Sequence, residues 1–379
     1  MCNQTAMSPE CNGSFYEFPD YIVIEDAPLP LSFRISATVL HALIFCVGSV
    51  GNVLLIYVAQ RAIALRTPTY IYLLSLAYAD LLVICCAIPE AILSYHVGNR
   101  WVLGQPACAI FIFLNFLGIN AGSLSILAFT IERFIAICRP LLARKLCTVK
   151  RTKRIVLLSW LGTTLYCCPW LGLTELKPDE GNPAYSQCRF RLSVSVYLIF
   201  FLADLVLFYI VPLAVAVVLY TRISRIVKRR GYFFRREDSG KWLSVVQLNQ
   251  MNGYDSPMVD LHQPFAALEH PEMSVNQSGK AVQQMLIVVV VLFAVSWLPF
   301  RGMLVYNSFA DEPWLDIWYM LFAKTLIYLN SAINPFLYNF MSHRFKAAVR
   351  QCLFPDNKKA KVLATVYRNP LGSTASNTR

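Results

Sequence analysis

The chain has 379 residues, of which 56% are hydrophobic and 15% charged, with a mean hydropathy of +0.49. Soluble domains carry about 45–50% apolar and about 25% charged residues, so these figures exclude a disordered or collagen-like chain and argue against a soluble enzyme. The net charge is +12, from 34 Lys and Arg against 22 Asp and Glu, and the bases collect between long apolar windows, as membrane topology demands and nucleic-acid binding does not.

Residues 1–34 read as an outer tail. The first 30 hold five acids and two sequons, at Asn3 and Asn12, which are candidate glycosylation sites. No basic stretch precedes an apolar core there, so no cleaved signal is expected. Seven apolar windows follow at 36–59, 70–95, 107–138, 155–174, 193–220, 282–306 and 315–340, each long enough to cross hydrocarbon as a helix. The expected fold is therefore an all-α membrane protein, a seven-helix bundle over 35–341. Pro89, Pro169, Pro212, Pro299 and Pro335 fall inside windows, which bundled membrane helices tolerate.

Of the 34 basic residues, 27 lie in 60–68, 133–154, 222–280 and 344–379. The positive-inside rule then places those segments in the cytoplasm, the N-terminus outside and the C-terminus inside, at the plasma membrane. The long loop 222–280 opens with basic clusters and becomes rich in Asn, Gln, Pro and Ser, and is expected to be largely disordered apart from extensions of the flanking helices. Its sequon at Asn276 should stay bare on this topology. Residues 342–353 alternate basic and apolar at helical spacing, which predicts an amphipathic interfacial helix with Phe345, Val349, Cys352 and Leu353 toward lipid. Cys352 on it is a candidate lipidation site, with an unmodified thiol as the alternative. Residues 354–379 form a cytoplasmic tail carrying Ser and Thr acceptors. Most of the twelve Cys read as small packed or lipid-facing hydrophobes.

Several motifs recur in the right windows. They are Gly51-Asn52-Val53, Leu76-Ala77-Tyr78-Ala79-Asp80, Trp101 before Cys108, Glu132-Arg133-Phe134, Trp160, Pro212 with Tyr220, Phe293 with Trp297-Leu298-Pro299, and Asn334-Pro335-Phe336-Leu337-Tyr338. On these the chain resembles the rhodopsin-like G-protein-coupled receptors. The stretches 116–121, 128–138, 163–167, 208–212 and 327–335 are similar to the thyrotropin-releasing hormone receptor group. The resemblance implies a receptor for a short amidated neuropeptide, working through a heterotrimeric G protein of the Gq class, with arrestin and receptor kinases as further partners. It also implies a disulfide between Cys108 and Cys188, both on the oxidising side of the membrane.

Ionisable residues within spans are costly and mark candidate sites. Arg301 and Lys324 must meet water, an acid or a ligand. Glu90 and Asp204 are the acids at that level, so internal ion pairs are the alternative to ligand contact. Phe116 and Asn120 share a helix face, and Phe300 adjoins Arg301, giving aromatic, amide and cationic groups suited to a peptide. In the group it resembles, tyrosines stand at the Phe116 and Phe300 positions, an Arg at Lys324 and an Asn at Glu90, so a related but different peptide is expected. Asp80, with Asn330 and Asn334 among its polar neighbours, matches the family's sodium site, although Gly122 replaces a common Ser; a water-filled network is the alternative. No other cofactor is expected. Glu132, Arg133, Tyr220, Phe293, Trp297, Pro299, Asn334, Pro335 and Tyr338 correspond to the family's activation switch. The acid that would also hold Arg133 from the sixth helix falls at Gly279, so that second lock is missing.

Other classes fit less well. No repeat supports a transporter, no pore-lining set a channel, and no converging nucleophile and base an enzyme. Lys324 lies a turn too far out for a retinal lysine. A non-signalling decoy receptor remains the second reading.

Overall fold

A computed structural model describes residues 29–62, 65, 67–98, 100–178, 186–192, 194–226, 271–310, 314 and 316–354. The expected sequon sites Asn3 and Asn12, the middle of the 222–280 loop and the tail beyond 354 lie outside these residues.

The chain forms α1 (Leu31–Arg61), α2 (Pro68–Val97), α3 (Gly104–Cys138), the short α4 (Pro140–Leu146) and α5 (Val149–Cys167). A 3₁₀ turn at Cys168–Leu171 and an antiparallel hairpin of β1 (Thr174–Pro178) and β2 (Ser186–Phe190) follow. Then come α6 (Val194–Leu205), a π-helical turn at Val206–Ile210, α7 (211–226), α8 (Pro271–Phe309), α9 (Ile317–Met341) and α10 (His343–Leu353). The π turn joins α6 and α7 into one span, whose apolar stretch is Val196–Ile226. Among the described residues, five spans have apolar windows long enough on composition alone: α1, α2, α3, α6–α7 and α8. The other two members of the seven-helix bundle, α5 and α9, are more polar. α5 opens on a basic first stretch, and α9 carries Lys324, Asn330 and Asn334.

Two expectations need correction. Pro169 does not lie inside a span but in the 3₁₀ turn that ends α5, because its ring cannot continue the helix. On α10, Phe345 does not face lipid. It is 3% exposed and packs into the bundle core, as does Ala348, while Lys346 and Arg350 stay exposed. The helix is thus roofed onto α1 and α9 rather than laid free on the membrane. Ser342 caps it by accepting from the Phe345 amide at 3.2 Å.

The other prolines show how the spans satisfy backbone groups where no water is at hand. Pro212 has no N–H to give the Phe208 carbonyl, and the Ser123 hydroxyl of α3 donates to that oxygen at 2.5 Å. Pro335 similarly frees the Ser331 carbonyl, and Asn52 of α1 donates to it at 3.0 Å. At Pro212 and Pro335 the freed carbonyl is met by a side chain from a different helix, so a local defect becomes a tie across the bundle.

Close approach of α1 to its neighbours depends on Gly48. A Cβ there would lie 2.7 Å from the Ile84 side chain, 2.9 Å from Ala332 Cβ and 3.2 Å from Ala332 Cα. Contacts of this kind cannot form without displacement. Gly48→Ala should therefore cost about 1–3 kcal/mol by overpacking. Gly162→Ala, inside α5 with open space around it, should leave the melting temperature of the purified protein unlowered or slightly raised. Equal melting temperatures for the two variants would contradict the packing account.

Candidate ligand cavity and switch

The end of the bundle that carries the hairpin is closed over by it. β2 places Cys188 opposite Leu176 of β1, and Cys188 is bonded to Cys108 in the first turns of α3. Gln105 of α3 reinforces that anchor, donating to the Thr174 carbonyl at 2.9 Å and accepting from the Leu176 amide at 2.6 Å. Tyr197 of α6 donates to the Leu173 carbonyl at 2.5 Å and accepts from the Leu192 amide at 3.0 Å. The hairpin is held from both sides, and a cavity opens beside it.

That cavity is lined by α2, α3, α8 and α9, with Phe190 of β2 and Phe201 of α6. Among the residues singled out from the sequence, Glu90, Phe116, Phe300, Arg301 and Lys324 line it. Phe116 belongs to an aromatic cluster whose hub is Trp170, stacked on it at 4.5 Å with 5° between the planes. Trp170 also touches Phe190, Tyr197, Phe200 and Phe201 and is 2% exposed. The walls are apolar and aromatic with a few charged groups, the composition of a ligand site. Among the described residues no acid lies within ion-pair distance of Lys324.

Asn120 and Asp204 take a different place. Asn120 is fully buried and donates to Asp204 Oδ1 at 2.8 Å, with a weaker contact to Cys167 Sγ at 3.6 Å. Asp204 Oδ2 accepts from Arg301 at 2.7 Å. Neither Asn120 nor Asp204 lines the cavity. Arg301 is shared: its guanidinium holds Asp204, sits 5.2 Å from the Trp297 ring centre, and borders the cavity. The internal ion pair and the cavity wall are therefore two faces of one residue. Such a pair ties α6 to α8, and losing one partner of a buried pair typically costs about 3–5 kcal/mol because the other charge is stranded.

Sequence reasoning missed His41. It is fully buried in α1, paired with Thr325 of α9 at 3.0 Å and Tyr95 of α2 at 3.1 Å, and stands edge-on to Tyr328 at 4.9 Å. Tyr95 and Tyr328 both line the cavity, so His41 sets the back of one wall. No local motif marks a lone His in an apolar span as such a residue.

Deeper in the bundle, Asp80 is buried and accepts from Asn334 Nδ2 at 2.8 Å. Asn52 uses its amide N on the Gly48 and Ser331 carbonyls, which leaves its Oδ1 without a partner in the protein. Asn330 is half-buried and makes no hydrogen bond among the described residues. At the opposite end from the hairpin, Arg133 is folded onto Glu132, with Nε donating to the carboxylate at 2.6 Å, and lies 5.7 Å from the Phe129 ring centre. Tyr220 is 3.5 Å from the Thr130 hydroxyl, and Tyr338 is buried with its OH unpaired. Phe293 bridges Tyr209 and Trp297 at 5.8 and 6.2 Å. Pro299 lies inside α8, and Tyr319 of α9 donates to its carbonyl at 3.1 Å. Cys352 is half-buried against the core.

Residues 51–338 match the family model described as 7 transmembrane receptor (rhodopsin family). The chain is 39% identical over 330 residues to the thyrotropin-releasing hormone receptor of Mus musculus, which covers 86% of this chain and 80% of that protein. It is 30% identical over 354 residues to neuromedin-U receptor 2 of Mus musculus, covering 89% and 80%. The pyrokinin-1 receptor of Drosophila melanogaster is 29% identical over 350 residues, covering 86% and 81%.

The Trp170 hub carries one stability consequence. Trp170→Ala removes the ring that supports Phe116 and Phe190, and should cost about 3–5 kcal/mol. It should appear as a clear fall in melting temperature of the receptor in nanodiscs; a melting temperature within a degree or so of wild type would contradict the hub assignment.

Proposed function

The chain belongs to the rhodopsin family of seven-transmembrane receptors, and on that premise we propose that it is the receptor for a short, C-terminally amidated neuropeptide, signalling through Gq, phospholipase C and calcium. It is a G-protein-coupled receptor and multi-pass plasma-membrane protein, not an enzyme, and its relatives are neuropeptide receptors. In our reading the hairpin end with the N-terminus is extracellular and the α10 end with the C-terminus is cytoplasmic, in accord with the basic segments.

The observation that carries the ligand class is the cavity itself. Lys324 offers donors to a carbonyl or carboxamide, Glu90 lies on the same cavity, and Phe116, Phe300 and Trp297 supply aromatic surface. The phenylalanines at 116 and 300 offer no hydroxyls, and Lys324 is a point charge rather than a planar fork. A site so made should discriminate against a peptide that depends on those hydroxyls.

Ligand contact favours activation only through its differential affinity for the two states. Contact at Arg301 and Trp297 acts on α8 on either side of Pro299, the point at which that helix bends most readily. Outward movement of the α10 end of α8 would open a cleft beside Arg133, Tyr220 and Tyr338 for the G protein. Asp80, Asn334 and the unpaired Asn52 Oδ1 offer hard oxygen donors suited to sodium. A sodium-dependent rise in melting temperature that Asp80→Asn abolishes would support that assignment, and a sodium-independent melting temperature would refute it. Arrestin and receptor kinases, glycosylation at Asn3 and Asn12, and lipidation of Cys352 complete the proposal.

The test is intracellular calcium in cells expressing the receptor, against a panel of short amidated peptides that includes thyrotropin-releasing hormone. A response to a peptide in the panel supports the reading, and silence to all of them contradicts it. Lys324→Ala should lower agonist potency roughly tenfold or more without changing surface expression, in line with loss of a charge-assisted hydrogen bond; unchanged potency removes its ligand role. Arg133→Ala should abolish calcium signalling while radioligand binding persists. Full signalling by that variant would favour a different coupling residue.

A further inference from the structure

At the end of the bundle away from the hairpin, residues 139–154 carry seven bases and no acid. All seven bases are exposed, and among the described residues none is ion-paired with an acid. Membrane topology accounts for the bases. It does not account for the hydroxyl set between them. Two threonines, Thr148 and Thr152, lie in the basic run. Sequence alone makes them equal candidates for an enzyme that reads bases, and the structure separates them. Thr152 is 2% exposed and hydrogen-bonded with Tyr72 of α2. Thr148 is exposed, in the two-residue link between α4 and α5, with extended backbone at φ −111° and ψ 146°. Its hydroxyl oxygen caps α5 through a long bond of 3.4 Å from the Arg151 amide. The preceding α4 buries none of its residues, and a short helix without buried contacts opens at little cost. The hold on this link is Cys147, whose Sγ lies 4.0 Å from the Glu132 carbonyl.

We propose that Thr148 is a phosphorylation site for a protein kinase whose acidic peptide cleft reads bases on both sides of the acceptor. Arg144 and Lys145 precede it, and Lys150 and Arg151 follow it. The proposal rests on the reading that this end of the bundle is cytoplasmic, where ATP is the co-reactant. Thr148 Oγ1 attacks the γ-phosphorus of ATP. The new O–P bond forms as the bond from that phosphorus to the oxygen shared with the β-phosphate breaks. ADP leaves, and the hydroxyl proton passes to the kinase's base and then to water. The product brings a charge of about −1.5 to −2 into the seven bases. As the cap of α5 it accepts from first-turn N–H groups and attracts the Arg151 guanidinium. Through Cys147 the mark is next to the Glu132–Arg133 pair and away from the ligand cavity.

The test uses the full receptor in nanodiscs, which expose both faces, with protein kinase C and ATP. Phosphate is mapped by mass spectrometry. The expected result is phosphate on Thr148, approaching one per receptor, and none on Thr152. Thr148→Asn keeps an N-cap but has no hydroxyl, and should abolish labelling at that position; Thr148→Ser should retain it. Arg144→Gln combined with Lys145→Gln should slow the labelling several-fold with the melting temperature unchanged, since both positions are exposed. No phosphate on Thr148, phosphate on Thr152 in its place, or an unchanged rate in the double variant would overturn the proposal. The same mapping in intact cells after kinase activation separates this proposal from the reading it rests on. Phosphate on Thr148 in a receptor that answers no amidated peptide would retain the site and discard the peptide reading. A receptor that answers a peptide while Thr148 stays bare in cells would do the reverse.

Discussion

Hydrocarbon offers no hydrogen-bond partner, so a polar group in these spans is met from within the protein or left unsatisfied at a cost. That constraint organises the bundle. The Ser331 carbonyl freed by Pro335 is met by Asn52, and the Phe208 carbonyl freed by Pro212 by Ser123. Asp80 is met by Asn334, and Asp204 by Arg301 and Asn120. These ties join α1 to α9, α3 to the π turn, α2 to α9, and α6 to both α3 and α8. Apolar packing between helices in lipid is only weakly directional, so the polar ties specify which faces meet.

The same constraint explains why function collects where it does. A tie that is fully satisfied is structure. A tie left partly satisfied waits for something else. Asn52 Oδ1, Trp297 Nε1, Arg301 Nε and the Tyr338 hydroxyl are buried without partners in the protein, and each lies at a place assigned to sodium, ligand or G-protein switching. His41 and Trp170 are the contrast. Both are buried with their neighbours in place, and both shape the cavity walls without facing into it.

Much of this was legible in the sequence because it depends on local chemistry. Apolar windows of about 20 residues bounded by bases mark spans, and family motifs mark Asp80, Arg133 and Asn334-Pro335. Arg301 and Lys324 stand out because charge in a span is expensive. What was not legible depends on how helices rotate against one another. Spacing places Asn120 on the face of Phe116, yet one turn deeper it meets Asp204, 84 residues away, instead of the cavity. Arg301 was open between ligand and internal acid, and the structure gives it both borders. The hairpin is stabilised by Gln105, Tyr197 and Cys108 from other elements, so its strands carry little signal of their own. Phe345 was read as lipid-facing from its own helix, since the periodicity of α10 cannot tell a bilayer from the sides of α1 and α9.

In the proposed mechanism, polar ties near the hairpin end hold α8 in its resting place and Arg133 at the other end transmits its release. Receptor-catalysed nucleotide exchange on a purified Gq heterotrimer, without ligand, tests that most directly. Asp204→Asn should exchange several-fold faster than wild type, and the same substitution combined with Arg133→Ala should fall to the rate of the G protein alone. An Asp204→Asn receptor that folds and exchanges no faster than wild type, or a double variant that keeps the raised rate, would contradict it.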